Sequence, residues 1–153
     1  MISIQEYFGP YADHKDVTAE IRFDATALLD VVNDLLEAAA RDGCELPTNP
    51  ATDSQISGSG NGGFRPRDCK VGAANSKHKD GRAVDAYDPL RQFASWCLAH
   101  LDELKQRGLY LEDPRWTPSW AHLQNVPPGS GKVVYIPSLA PALASNPPDW
   151  STA

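Results

Sequence analysis

The sequence has few cysteines, no long apolar run and no excess of positive charge, and each absence argues against a class of protein. Its three cysteines, Cys44, Cys69 and Cys97, are odd in number and show no Cys-x-x-Cys spacing. We therefore expect three reduced thiols, with Cys97 buried on a helix, rather than a disulfide framework or a thiolate zinc site. No segment approaches the roughly 20 apolar residues that span a membrane. A net charge of −6 argues against nucleic-acid binding, which needs a basic surface.

The length and the two ends of the chain give a simple domain plan. A chain of 153 residues, 41% hydrophobic and 22% charged, suits one soluble domain, which we place at residues 1–137. Residues 138–153 are rich in Pro, Ala and Ser, and we expect a tail that docks loosely or is disordered. Residues 1–16 have neither a basic lead nor an apolar run, so we expect no secretory signal and synthesis in the cytoplasm.

The apolar patterning predicts two main helices and a small sheet. Asp24 is expected to cap a helix whose apolar stripe covers residues 25–41. Asp88-Pro89 is typical of the start of a second helix that ends at Gly108. Short strands are predicted at residues 82–87, 109–111, 120–123 and 133–136. This order predicts an α+β fold with a small, largely antiparallel sheet and two main flanking helices. The polar segment 46–63 is long for a loop in a compact domain, and we expect it to form one wall of a substrate cleft.

Two short segments carry the chemistry. The first has the pattern Ser76-x-His78-x-x-Gly81-x-Ala-x-Asp85, and the second is Trp-Ala-His122. Two imidazoles and one carboxylate are the ligands of a catalytic zinc site with one open position. The glycine lets the backbone turn between His78 and the strand that carries Asp85. Calcium and magnesium fit poorly, because both prefer shells made of oxygen atoms.

The Ser76–Asp85 pattern resembles the signature of the D-alanyl-D-alanine metallopeptidases, which share a fold with lysostaphin-type peptidases and the hedgehog signalling domain. Gly63-Phe64-Arg65-Pro66 is similar to the aromatic-Arg turn of that family, and Trp120-Ala121-His122 is similar to its last ligand motif. Asn33-Asp34-Leu35-Leu36 on an early helix also fits. The resemblance covers roughly residues 24–137 and is closest to the small phage-encoded members.

The resemblance implies a hedgehog-like fold, with zinc held by His78, Asp85 and His122. The implied activity is hydrolysis of D-Ala-type bonds in peptidoglycan stem peptides, by a carboxypeptidase or an endopeptidase. Such an enzyme would act at the bacterial cell wall, during phage lysis or as part of a virion. We expect a monomer that neither binds nucleic acid nor inserts into a membrane.

Three further residues have a role implied by the resemblance and a plainer alternative. Arg65 would lie beside the metal and stabilise the oxyanion or hold the substrate carbonyl, or it forms a surface salt bridge. Ser76 would hydrogen-bond the substrate termini, or it only shapes the turn before His78. Trp120 is expected to be an aromatic residue of the core or of the cleft wall, where it would contact substrate, and not to take part in the chemistry. His14 and His100 are expected to be bystanders.

The sequence departs from the family at the general base. The family places a glutamate three residues before the last histidine ligand, and Ser119 stands there in this chain. A serine hydroxyl is no base near neutral pH without help. Glu112, at the end of the strand predicted at 109–111, is the replacement candidate, and its alternative is a solvated acid that begins the Asp113-Pro114 turn. The substitution keeps two other functions open: a zinc-holding but inactive wall-binding or virion module, and an interaction domain whose site no longer binds metal.

Overall fold

The computed structural model describes residues 1–128 and 134–135, and these form the predicted α+β fold. Its helices are α1 (Ile4–Phe8), α2 (Ala19–Arg41), α3 (Gln92–Ala99) and α4 (Leu101–Gln106), with 3₁₀ turns at Gly9–Tyr11 and Lys77–Asp80. Its strands are β1 (Ala83–Tyr87), β2 (Tyr110–Glu112), β3 (Trp120–Gln124) and β4 (Val134–Tyr135). The tail predicted at 138–153 lies outside the described residues.

The four strands form one antiparallel sheet in the order β1-β3-β2-β4. In its register Asp85 is opposite His122, and Leu111 is opposite Leu123. Successive side chains of a strand point to opposite faces. One face joins the hydrophobic core through small and branched side chains, namely Val84, Ala86, Leu111, Ala121 and Leu123. The other face therefore carries the polar residues that alternate with them.

Helix α2 begins earlier than the sequence predicts, at Ala19 rather than at residue 25. The Thr18 side chain accepts a hydrogen bond from the backbone N–H of Ile21 at 3.2 Å and caps the helix. Threonine supplies the side-chain oxygen that satisfies a free N–H of the first turn, so Asp24 is not needed as the cap. The helix ends at Arg41, as predicted, and buries Leu28, Val32 and Leu35 completely.

The second predicted helix is two helices, because the chain breaks at His100 (φ −130°, ψ 50°) between α3 and α4. Its start is also later than predicted, since Arg91 precedes α3 in the left-handed region (φ 57°). The Asp88 carboxylate still caps the helix, accepting the N–H of Phe93 at 3.1 Å and of Ala94 at 2.8 Å. Asp88-Pro89 thus marks the turn before the helix rather than its first turn.

Helix α1 is absent from the sequence prediction, since five residues are too few for a periodic stripe. A capping box between Ser3 and Glu6 starts it. Its Tyr7 hydroxyl donates to the carbonyl of Ala83 at 2.9 Å, and its Tyr7 carbonyl accepts the N–H of Phe64 at 3.0 Å. Helix α1 therefore connects the first strand of the sheet to the segment that contains Arg65.

Segment 46–63 lies along the outer edge of β1 and not in the wall of the cleft described below. Ile56 forms a bridge with Ala86, and the N–H of Asp85 donates to the carbonyl of Gly62 at 2.7 Å. The prediction of a cleft wall was wrong because the exposed edge of β1 offers this segment backbone partners. No helix among residues 1–128 is long and apolar enough to cross a membrane.

Candidate metal centre

The polar face of the sheet aligns three ionisable side chains on adjacent strands. Asp85 on β1 is directly opposite His122 on β3. Glu112 on β2 follows the Leu111–Leu123 pair and so comes next to His122 on its other side. The alternation that buries Val84 and Leu111 in the core is what turns these three side chains to the opposite face.

His78 reaches the same place from the 3₁₀ turn Lys77–Asp80, immediately before β1. Gly81 ends the turn in the left-handed region (φ 71°), where a Cβ would lie 2.9 Å from the carbonyl oxygen of Ile21. Glycine is therefore required both for the backbone conformation and for the close approach of α2. His78 is almost completely buried, at 1% exposure.

The structure brings the three predicted ligands together as a candidate metal-binding triad. His78 Nε2 lies 3.3 Å from Asp85 Oδ1, and His122 Nδ1 lies 2.8 Å from the same oxygen. One ligand atom from each residue lies within 4.8 Å of the other two. The triad thus has two nitrogen donors and one oxygen donor, as the sequence pattern predicts.

The backbone fixes the orientation of the His78 ring. Its Nδ1 lies 2.7 Å from the carbonyl oxygen of Gly63 and must carry the proton that it donates there. Nε2 is then the acceptor nitrogen, and it is the nitrogen that faces Asp85. A Cβ at position 63 would lie 2.0 Å from the Tyr7 carbonyl oxygen, so only glycine fits at this position. Glycine there lets the carbonyl of residue 63 approach the His78 ring.

Gln124 fixes the His122 ring in a similar way, and sequence reasoning missed it. The Gln124 amide nitrogen donates to the carbonyl of Val126 at 2.8 Å, so its Oε1 is the atom that faces His122 Nε2, at 3.0 Å. Nε2 must therefore carry a proton, and the Nδ1 lone pair faces Asp85 Oδ1 at 2.8 Å. Two lone pairs at this distance repel each other, so a proton or a metal ion is needed between them.

The pKa values of the three triad residues are shifted by burial and by their mutual contacts. Burial lowers the pKa of His78, although the nearby Asp85 charge opposes the change. Burial acts in the same direction on His122, but the hydrogen bond and charge of Asp85 outweigh it and raise the His122 pKa above its ordinary value. Burial alone would raise the Asp85 pKa, yet the two histidines hold it below the usual range. Asp85 is thus the anionic member of the triad.

Arg65 is a buried side chain beside the triad, not a surface ion pair. It is 8% exposed, its Nη2 donates to Asp85 Oδ2 at 2.9 Å, and its Nε donates to the carbonyl of Asn61 at 2.6 Å. Because Arg65 donates to Asp85 Oδ2, Asp85 Oδ1 is the oxygen that faces both histidines. Arg65 therefore orients the carboxylate of the triad.

Glu112 and Ser119 differ sharply in position. Glu112 is 7% exposed, lines the cleft, and its Oε2 lies 3.9 Å from His122 Nδ1. Ser119 is exposed, and its carbonyl accepts the N–H of Asp88 at 3.2 Å. Asp113 is fully buried and forms an ion pair with Arg115. Of these residues, Glu112 is the acid that the sheet places beside the triad.

A cleft of about 680 Å³ opens over the triad. Its lining comes from Arg65 and Arg67, residues 71–80, Asp85, Glu112, Trp120, His122, Gln124 and Pro128. Ser76 lines this cleft and also accepts the N–H of His78 at 3.4 Å, so it both shapes the turn and faces the cleft. Trp120 is half-buried in the wall rather than in the core.

None of the three cysteines and neither of the other histidines, His14 and His100, belongs to the triad. All three cysteines are free, Cys97 is buried, and Cys69 lies 3.8 Å from the side-chain oxygen of Asn61. His14 forms a second, more exposed group with Asp16 and Asp68 that could also hold a cation. Asp16 in that group already accepts the N–H of Arg67 at 2.9 Å, and we assign the group no role.

Comparisons with protein-family models, with curated proteins and with solved structures gave no significant match.

Proposed function

We propose that the triad of His78, Asp85 and His122 holds a zinc ion. Zinc–nitrogen and zinc–oxygen bonds of about 2.0–2.1 Å in a tetrahedral shell separate the ligand atoms by about 3.3 Å. The separation of Asp85 Oδ1 from His78 Nε2, 3.3 Å, matches that value, and its separation from His122 Nδ1, 2.8 Å, is shorter, as for a hydrogen bond. Two imidazole nitrogens and one carboxylate suit zinc better than calcium or magnesium. The cleft above the triad leaves room for a fourth ligand.

We further propose that the protein is a metal-dependent peptidase. A zinc ion at such a site lowers the pKa of water to near 7 and polarises a carbonyl group. The single observation that carries the proposal is the position of Glu112, a buried carboxylate 3.9 Å from a ligand nitrogen and open to the cleft. A carboxylate there can take the proton from the attacking water and return it to the leaving amine.

The other residues position these groups. Arg65 holds Asp85 with Oδ1 toward the histidines, and its positive charge would also favour an oxyanion in the cleft. Gly63 and Gln124 hold the two imidazole rings with the ligand nitrogen toward Asp85. Trp120 and Ser76 line the cleft and would contact a bound peptide.

The resemblance of residues 24–137 to the D-alanyl-D-alanine metallopeptidases supports a substrate class. We propose D-Ala-type bonds in the stem peptides of peptidoglycan, cleaved at the cell wall in phage lysis or by a virion component. The net charge of −6 gives no general attraction to an anionic wall polymer, so binding must depend on local contacts in the cleft.

A second candidate is a zinc-holding module that binds the wall without cutting it. Ser119, which stands at the family's glutamate position and is exposed away from the cleft, favours this alternative. This alternative predicts one bound zinc ion per chain and binding of stem peptides without formation of product. It also predicts that Glu112→Gln does not change stem-peptide binding.

The test is hydrolysis of a synthetic stem pentapeptide ending in D-Ala-D-Ala, followed by mass spectrometry. We expect the zinc-loaded protein to give a shortened peptide, and the chelator-treated protein to give none. His122→Ala should abolish both zinc uptake and cleavage, whereas His100→Ala, at a histidine on the helix break, should change neither. Cleavage by the chelator-treated protein would refute the proposal. Zinc and peptide binding without product would favour the inactive module.

A further inference from the structure

The cleft concentrates positive charge although the chain is acidic overall. Its lining includes four cationic side chains, namely Arg65, Arg67, Lys77 and Lys79. Its acids are Asp80, Asp85 and Glu112, of which Asp85 accepts from Arg65 and Asp80 lies 3.7 Å from Lys77. Four cations against three acids leave the lining with one positive charge in excess, and Arg67 and Lys79 are the two cations that form no ion pair with a described residue.

Lys79 is the unusual member of this group. It is 6% exposed, and its ammonium donates to the backbone carbonyl of Arg67 at 2.9 Å. Within residues 1–128 it forms no ion pair, although an ammonium group has three N–H donors. A buried ammonium group without a counter-charge is costly. An anion bound in the cleft, which Lys79 lines, would supply that counter-charge.

Arg67 adds a second cation from a neighbouring segment of the chain. Its backbone is held on both sides, since its N–H donates to Asp16 and its carbonyl accepts from Lys79. Its side chain is exposed at the mouth of the cleft and forms no ion pair with a described residue. The bond from Lys79 to Arg67 thus keeps the two residues side by side in one wall, next to the His78 ligand.

We propose that Lys79 and Arg67 form a carboxylate-binding subsite that selects peptides with a free carboxylate. A charge-assisted hydrogen bond from a buried ammonium group is strong and discriminates a carboxylate from an amide. Stem peptides offer two sources, the C-terminal carboxylate and the carboxylate of their acidic residue. The link to hydrolysis rests on the proposed function, but anion binding by the subsite does not.

The experiment measures binding of N-acetyl-D-alanine and of N-acetyl-D-alaninamide by NMR titration of the full chain. Both zinc-loaded and chelator-treated protein are used, because a carboxylate can also bind a metal directly. We expect at least tenfold tighter binding of the acid in both states, with shifts of the Lys79 and Arg67 amide signals. Equal affinities for acid and amide in the chelator-treated protein would overturn the subsite.

Variants separate the subsite from general charge effects. Lys79→Met should reduce the preference for the acid to less than about twofold, and Arg67→Gln should weaken it about threefold. Lys105→Met, which removes an exposed lysine on α4, should leave it unchanged. A preference for the acid that is retained in Lys79→Met would overturn the proposal. If that variant does not fold, the wild-type titration is the test, and unchanged Lys79 and Arg67 amide signals on addition of N-acetyl-D-alanine would overturn the proposal.

Substrate series distinguish the source of the carboxylate and the two proposals. If the subsite takes the C-terminal carboxylate, amidation of a stem pentapeptide at its C-terminus should weaken binding tenfold. If it takes the acidic residue, replacement by its amide should do so instead, and no effect of either change would overturn the subsite. A carboxylate preference without hydrolysis would support the subsite and refute the peptidase. Hydrolysis without a carboxylate preference would support the peptidase and refute the subsite.

Discussion

Replacing Gln124 by methionine should weaken zinc binding without unfolding the protein. Gln124 is 6% exposed, and its Oε1 is the acceptor that faces His122 Nε2 at 3.0 Å. Methionine has a similar volume but no acceptor of comparable strength. The ring of His122 would then lose the contact that keeps its proton on Nε2 and its Nδ1 lone pair toward Asp85.

The expected size of the effect follows from the lost hydrogen bond. A buried donor without an acceptor costs about 1–3 kcal/mol, and each ~1.4 kcal/mol is a factor of ten in affinity. Loss of the partner that orients a metal-ligating histidine typically lowers metal affinity about 10–100-fold. We therefore expect the zinc dissociation constant of Gln124→Met to rise by about one to two orders of magnitude.

Competition with a chromophoric chelator at fixed pH measures that constant, and circular dichroism checks the fold. Gln106→Met, at an exposed glutamine at the end of α4, is the matched control and should bind zinc like the wild type. Long-range ¹H–¹⁵N NMR of the metal-loaded wild type should show the His122 proton on Nε2. Wild-type affinity in a folded Gln124→Met variant would refute the role given to this residue.

Three further predictions concern the base, the packing and the pH dependence of the site. Glu112→Gln should lower kcat for stem-peptide cleavage about 10²–10⁴-fold and leave zinc uptake unchanged. The control Glu103→Gln should keep full activity. Normal turnover in Glu112→Gln would exclude Glu112 as the base. Gly63→Ala places a Cβ 2.0 Å from the Tyr7 carbonyl oxygen, so we expect a lower midpoint of urea unfolding and weaker zinc binding. An unchanged midpoint and unchanged zinc affinity would contradict the close packing of residue 63 against Tyr7. Because Asp85 raises the His122 pKa, zinc must displace a proton below that pKa, and its affinity should fall about tenfold per pH unit there; affinity independent of pH would contradict this.

The sequence allowed prediction of the candidate triad because the pattern around His78 and Asp85 contains both the turn and the strand. Gly81 fixes the turn, and period-two alternation fixes which face Asp85 and His122 share. Glu112 follows from the same rule once its strand is adjacent to that of His122. These are local features, and simple periodicity describes them well.

What the sequence did not reveal depends on contacts between distant segments. Gly63 orients His78 only because α1 packs against it, and the ring of His100 stacks on Trp96 where α3 ends. The role of Gln124 depends on an amide whose other end donates to Val126. None of these contacts leaves a periodic signal, so only the folded chain identifies them.

The most direct test of the central claim is a zinc titration of metal-free protein, with stem-peptide cleavage and bound zinc measured on the same samples. We predict that cleavage rises in proportion to zinc up to one equivalent and then stops rising, and that His78→Ala binds no zinc and forms no product. Cleavage that does not depend on zinc, or one bound zinc with no product over a long incubation, would contradict it.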